Sequence, residues 1–143
     1  MQVEDILRGK GINVATTYPD ANISSALAML RDRDIGALVV ATTTNPVCGI
    51  LSERDIVRAL AERGRSVLTE NVGNIMTSPV ISCTPAELLT DAMATMTTKR
   101  FRHMPVVKKG KLIGIVSIGD LVKHRLDELE YEALNFRAYI ATA

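Results

Sequence analysis

One nine-residue phrase occurs twice in this chain. Gly49-Ile50-Leu51-Ser52-Glu53-Arg54-Asp55-Ile56-Val57 returns as Gly114-Ile115-Val116-Ser117-Ile118-Gly119-Asp120-Leu121-Val122. Each copy reads glycine, two apolar residues, serine, two variable residues, aspartate and two apolar residues. A repeat of this kind restricts the fold to two copies of one supersecondary unit. The correspondence extends backwards. Pro19-Asp20-Ala21 lies over Pro85-Ala86-Glu87, Ile35 to Val40 over Phe101 to Val106, and Val3 to Leu7 over Val72 to Met76. The offset drifts from 69 to 66 to 65 along the chain. The length changes fall at Gly9-Lys10-Gly11 and between Val40 and Gly49, both read as loops, where such changes cost least.

Each half reads strand, helix, strand, strand, helix. Ile12 to Thr17 is the first expected strand. Asp20 is the expected cap of the helix that buries Ile23, Ala26, Leu27 and Leu30. Ala37 to Thr42 and Val47 to Leu51 form an expected strand pair around the Asn45-Pro46 turn. Ser52 opens the next helix, with Ile56, Val57, Leu60 and Ala61 at helical spacing and Gly64 at its end. In the second half, Thr84-Pro85-Ala86-Glu87 has the pattern of a capping box with proline in the first turn. The helix after it is expected to bury Leu88, Ala92, Met93 and Met96. Met104 to Val107 and Leu112 to Val116 flank Lys108-Lys109-Gly110-Lys111, a hairpin signal. Arg65 to Asn71 joins the halves, so the repeats are expected over residues 1–68 and 69–143. Each is near the lower size limit for an independent core, and the two should pack together about a pseudo-twofold axis.

The helix opened by Ser117 runs on. Val122, Leu126, Leu129, Ala133, Phe136 and Ile140 are spaced 4, 3, 4, 3, 4, which is a heptad seam. The favoured reading lays this helix on the body of its own chain. The other makes it a contact with a second copy.

With 143 residues, 47% of them apolar and only 3% aromatic, the chain can build a core of aliphatic residues and Met. A net charge of +1, with no basic run, gives no electrostatic case for nucleic acid or an anionic membrane. Nothing approaches the roughly 18 to 20 unbroken apolar residues of a membrane span. Met1-Gln2-Val3-Glu4-Asp5 lacks the basic and apolar regions of a signal peptide. Cys48 and Cys83, at non-equivalent positions, are therefore expected to be free thiols in a reducing cytoplasm.

Ser-x-x-Asp at the start of a helix is, by itself, a helix cap. Its surroundings suggest more. A helix N-terminus offers free N–H groups and a serine hydroxyl to a phosphate, and an aspartate one turn on can accept both hydroxyls of a ribose. Arg102 and His103 open a strand in the second half, where the first half has Gly36 and Ala37. The cleft built on Ser117 and Asp120 is therefore expected to be the richer in positive charge, and the one built on Ser52 and Asp55 to have only Arg54 nearby.

These residues resemble a known family. Paired repeats ending in Gly-Ile-Leu-Ser-Glu-Arg-Asp and Gly-Ile-Val-Ser-Ile-Gly-Asp, together with Ile35 to Val40 and Arg100 to Val106, are similar to tandem cystathionine-beta-synthase (CBS) domains, the Bateman module. The likeness is greatest to small single-pair members from bacteria and plant organelles. It implies an α/β (α+β) fold of two β-α-β-β-α repeats with an extended C-terminal helix. It implies clefts that bind AMP, ADP or ATP, or else NAD(H) or S-adenosylmethionine. Asp120 and Ser117 would serve one site, with Arg102, His103, Met104 and Pro105 beside it and Val80 and Ile81 against the adenine. Asp55 and Ser52 would serve the other, with Gly36, Ala37, Arg54 and Thr16. It further implies a homodimer and no catalytic cofactor.

An enzyme is not expected. His103 and His124 are the only histidines, no Cys/His cluster suggests zinc, and a phosphate-loop motif is absent. The leading expectation is a nucleotide-sensing regulatory module acting in trans on an unidentified protein. The alternative is a ligand-independent dimerisation or interaction module.

Overall fold

The computed structural model describes residues 1–11 and 13–142. Ile12, the expected start of the first strand, lies outside the described residues. The elements run α1 (Val3–Lys10), β1 (Thr16–Thr17), α2 (Ile23–Arg33), β2 (Ala37–Val40), β3 (Gly49–Ser52) and α3 (Glu53–Arg63), then α4 (Leu89–Lys99), β4 (His103–Lys108), β5 (Lys111–Ser117) and α5 (Ile118–Thr142). Between α3 and α4 lie two short 3-10 turns, Gly64–Thr69 and Val72–Asn74. The fold is mixed α/β and repeats itself. In the first half β1 runs parallel to β2, and β2 antiparallel to β3. In the second half β4 and β5 form an antiparallel hairpin closed by Lys109 and Gly110, both at positive φ. That is the backbone a tight two-residue hairpin turn requires.

The expected early strand of the second half does not form. Only Cys83 pairs with β4, in parallel, its N–H donating to Pro105 O at 3.0 Å while its carbonyl accepts Val107 N–H at 2.8 Å. Six residues earlier, Thr77 pairs antiparallel with Ile50 of β3. A segment that leaves one sheet edge and joins another within six residues cannot stay in register with either, so Val80 and Ile81 bridge the halves as irregular chain.

Two helix starts also differ from expectation. Asn22, not Asp20, caps α2, its side chain accepting Ser25 N–H at 2.8 Å. Thr84 to Glu87 is a turn and not a cap; α4 begins at Leu89 with no side-chain cap. Pro85 O and Glu87 O instead accept Glu4 and Val3 N–H, both at 2.9 Å, so the turn caps α1. As a result α4 buries Leu89, Ala92 and Met96, while Leu88 is exposed. In α3 the buried residues are Ile56 and Ala59; Val57 and Ala61 face outward. Gly9 and Lys10, expected in a loop, complete α1, and Gly11 closes it at φ 93°. Helix α1 itself lies outside the elements expected from the sequence.

Helix α1 completes the core of the second repeat. Val3, Ile6 and Leu7 pack with Cys83, Leu89, Ala92, Met96, Met104, Val106, Val116 and Leu121. Val67 and Val72, from the 3-10 turns, pack with Ile23, Leu30, Leu38, Val40, Leu51 and Ile56. Each core is thus finished by the segment that precedes the other repeat. The backbone bonds repeat in the same way. Val3 and Glu4 donate to Glu87 and Pro85, and Leu89 to Met1; Val72 and Gly73 donate to Ala21 and Pro19, and Ile23 to Glu70.

This exchange explains the glycine of the repeated phrase. A Cβ at Gly114 would stand 2.5 Å from Leu7 Cδ2. One at Gly49 would overlap the Met76 sulfur and stand 3.2 Å from Thr77 O. The strand glycines are notches that receive Leu7 and Met76. Both cysteines are free, and burial, with Glu87 nearby, pushes the Cys83 thiol up to about 12.

Gly114→Ala should overpack the second core and cost about 1–3 kcal/mol in urea unfolding. Leu7→Ala alone should cost about 2–5 kcal/mol. The double variant should lose less than the sum by at least ~0.5 kcal/mol, because the two changes share one notch. Strict additivity would refute that packing.

Candidate functional site

The Ser-x-x-Asp phrases are capping boxes in both copies. Ser52 Oγ accepts Asp55 N–H at 3.2 Å, and Asp55 Oδ2 accepts Ser52 N–H at 2.9 Å and the Ser52 hydroxyl at 3.0 Å. Ser117 and Asp120 repeat the backbone pair at 3.1 and 2.9 Å. Beyond the caps, the two copies differ.

Beside the first cap is a cavity of about 420 Å³, within the usual range for a small-ligand site. Its floor is the N-terminus of α3, with Ser52, Glu53 and Asp55. One wall is the bridging segment, with Thr77, Pro79, Val80 and Ile81. The Thr77 hydroxyl donates to Asp55 Oδ1 at 3.1 Å, tying that wall to the floor. The opposite wall carries Arg102 and His103, with Gly36 between the halves. Arg54 and Arg58 reach the rim one helical turn apart, where Lys99 and Arg100 meet them from the end of α4. Arg100, at φ 59°, takes the left-handed conformation that ends α4. A second hollow continues past this rim, lined by Arg54, Arg58, Arg100 and Arg102 with Phe101 and Ile118.

Electrostatically the site is unbalanced. The cations Arg54, Arg58, Lys99, Arg100 and Arg102 converge on it, against Glu53 and Asp55. Among the described residues, no carboxylate lies within ion-pair distance of any of those five. His103 packs over Gly36, where a Cβ would lie 3.3 Å from its Nε2. Burial holds its pKa below the ordinary histidine value, assisted by Lys10 and Arg102 and opposed by Asp120 and Glu53.

The cap at Ser117 has a different neighbour. Lys10, at the end of α1, donates to Asp120 Oδ2 at 2.5 Å. Burial alone would raise the Asp120 pKa, but Lys10 and the Ser117 N–H and hydroxyl outweigh it and hold the carboxyl below its usual range.

The structure groups the candidate residues differently from the sequence expectation. Arg102, His103, Val80 and Ile81, assigned to the Ser117–Asp120 cleft, line the cavity of Ser52, Arg54 and Asp55 together with Gly36. Ser117, Asp120, Ala37, Met104, Pro105 and Thr16 do not line it. Met104, Pro105 and Ala37 are buried, and Thr16 sits on β1. Two separate segments produce this grouping: the bridging segment carries Val80 and Ile81 onto the first cap, and the junction of α4 with β4 brings Arg102 and His103 to it. Thr77, Arg58, Lys99 and Arg100 were not anticipated. Arg58 could have been, lying one turn after Arg54 on the same helix face; Thr77 and Arg100 depend on tertiary contacts. Among the described residues no group of three or more His, Cys, Asp or Glu could hold a metal ion, and no helix is long and apolar enough to cross a membrane.

The CBS domain matches this chain twice, over residues 3–62 and 72–127. The protein belongs to the CBS-domain family and carries the domain as a tandem pair. The mitochondrial CBS domain-containing protein CBSX3 of Arabidopsis thaliana is 34% identical, over 96% of this chain and 71% of its own length. A CBS-domain-containing protein of Agrobacterium tumefaciens, known from its crystal structure, is 42% identical with a TM-score of 0.84, over 87% of this chain and 99% of that one. The CBS domain pair of the protein MJ0100, crystallised with 5′-methylthioadenosine and S-adenosyl-L-methionine, is 25% identical with a TM-score of 0.76, over 86% of this chain and 98% of that one.

The ion pair sets a pH dependence. Because the Asp120 carboxyl is held below its usual range in the folded chain, its contribution is present above the unfolded carboxyl pKa and is lost as pH falls through the folded one. Lys10→Met should cost about 0.5–1 kcal/mol at pH 7, as for a partly exposed pair. In urea titrations the gap from wild type should close as pH falls towards 3; a constant gap would mean that Lys10 acts through packing.

Proposed function

We propose that this chain is a non-catalytic regulatory module that binds one adenine nucleotide in the Asp55 cavity and acts in trans on a separate protein. The observation that carries this reading is the set of cations without ion-pair partners that gathers around the capped N-terminus of α3, facing an apolar wall. Val80, Ile81 and Pro79 suit the flat face of adenine, and the Asp55 carboxylate suits the two ribose hydroxyls. Ser52, Arg102 and His103 then lie on the phosphate side, where a helix N-terminus and arginine both favour an anion. Arg58 and Arg100 extend the positive surface past the first phosphate, which favours ADP, ATP or a dinucleotide such as NADH over AMP. The ligands carried by the MJ0100 pair support an adenosine-type ligand. Bound between the repeats, a nucleotide would favour one packing of the two halves, and regulation follows if a partner protein distinguishes the packings.

Thermal unfolding with AMP, ADP, ATP, NADH and S-adenosylmethionine in parallel tests this. A ligand at 100 times its Kd should add about 2.7 kcal/mol. Asp55→Ala and Arg102→Ala should each weaken binding at least about ten-fold, as expected for lost charge-assisted hydrogen bonds, whereas Asp120→Ala should leave it in place. No stabilisation by any of the five would favour the ligand-independent interaction module.

Because the His103 pKa is lowered in the free site, an arriving phosphate should raise it and binding should take up a proton. Affinity should therefore increase from pH 8 to pH 6 more in wild type than in His103→Gln. Calorimetry in buffers of different ionisation enthalpy reads the proton directly, and equal uptake in both proteins would remove His103 from the phosphate site.

A further inference from the structure

The stripe on α5 has no partner within its own chain. Of the 25 residues of α5 only Leu121 is buried. Val122, Leu126, Leu129, Ala133, Phe136 and Ile140 all face outward, from 40% exposed at Val122 to 64% at Phe136. The expectation that this helix lies along the body of its chain is thereby corrected. A continuous apolar stripe of about 28 Å, at 1.5 Å per residue, is an unusual surface for a monomer.

We propose that α5 pairs with α5 of a second copy as a parallel, in-register two-stranded coiled coil. Charges beside the stripe select this arrangement. With Leu126, Ala133 and Ile140 as a positions and Val122, Leu129 and Phe136 as d, the flanking e positions are Lys123, Glu130 and Arg137. The flanking g positions include Arg125 and Glu132. In a parallel pair each g residue meets the e residue five further along the partner. Arg125 then faces Glu130 and Glu132 faces Arg137, twice each by symmetry, with no like-charge contact. All six layers are covered.

The antiparallel alternatives do worse. Full overlap sets Lys123 against Arg137, Glu130 against Glu130 and Glu132 against Glu132, all repulsive. Sliding by one heptad restores opposite charges, Lys123 to Glu130 and Arg125 to Glu132, but takes Phe136 and Ile140 out of the seam. Within its own chain Arg125 is already paired with Glu128, which also holds the N-terminal amine at 3.2 Å. The Glu132–Arg137 contact is therefore the more diagnostic pair; among the described residues neither member has an ion-pair partner.

Sedimentation equilibrium of the full chain reads the association. Wild type should be a dimer, and Leu129→Lys should shift it towards monomer with little change in the unfolding of the body, because residue 129 is exposed. Glu132→Lys should weaken the dimer about ten-fold. Adding Arg137→Glu should restore it, whereas adding Arg125→Glu should not. Rescue by Arg125→Glu instead would overturn the parallel orientation, and a monomeric wild type would overturn the pairing itself. In a Cys48→Ser background, Leu129→Cys should form a disulfide-linked dimer on oxidation, because equivalent d positions meet only in the parallel register. A dimer that does not cross-link would also overturn it.

Discussion

The contact between each strand glycine and the segment that precedes the other repeat is the constraint on which the rest depends. Leu7 fills the notch at Gly114 and Met76 the notch at Gly49, so neither core is complete within its own stretch of sequence. Three backbone hydrogen bonds on each side hold the exchanged segments against the turns at Pro19–Ala21 and Pro85–Glu87. Burying Ile6 or Val72 contributes about 1.5–3 kcal/mol each, a large share of the stability of a domain this size. The exchange also decides where the chain between residues 76 and 83 runs: off β3, across the junction and onto β4.

That path makes the two caps chemically unequal. Both are Ser-x-x-Asp boxes with nearly the same geometry, copied by the repeat. The bridging segment lays Thr77, Val80 and Ile81 over the first, while α1 delivers Lys10 to the second. One carboxylate meets a neutral hydroxyl and a hollow, the other an ammonium. The basic residues divide similarly, Arg102 and His103 standing where the other repeat has Gly36 and Ala37. A pseudo-symmetric scaffold thus provides one open, cationic site and one internally paired site without a change in backbone architecture.

Much of the fold was legible because it rests on local chemistry. Ser52 and Asp55 cap α3, Gly64 ends it, and Lys109-Gly110 turns the hairpin, each from a residue's own conformational or hydrogen-bonding preference. The errors arose where tertiary contacts overrode local signals. Thr84-Pro85-Ala86-Glu87 has the residues of a cap but serves as an acceptor for α1, which shifts the start of α4 and exposes Leu88. Val80 and Ile81 have strand-forming side chains but link two sheets. At the site, the residue types were readable and their grouping was not, since Arg102 and Ser52 are 50 positions apart and meet only through packing across the repeats.

The sequence by itself determined the duplication, the two capping boxes, the strand glycines and the heptad spacing of α5, because periodicity and short-range hydrogen bonding are written in neighbouring residues. Only the tertiary structure decided which cap faces a cavity, that Lys10 neutralises Asp120, and that the heptad stripe lies uncovered on its own chain. Those outcomes depend on which non-local segment reaches each element first, and an offset between two repeats carries no information about that.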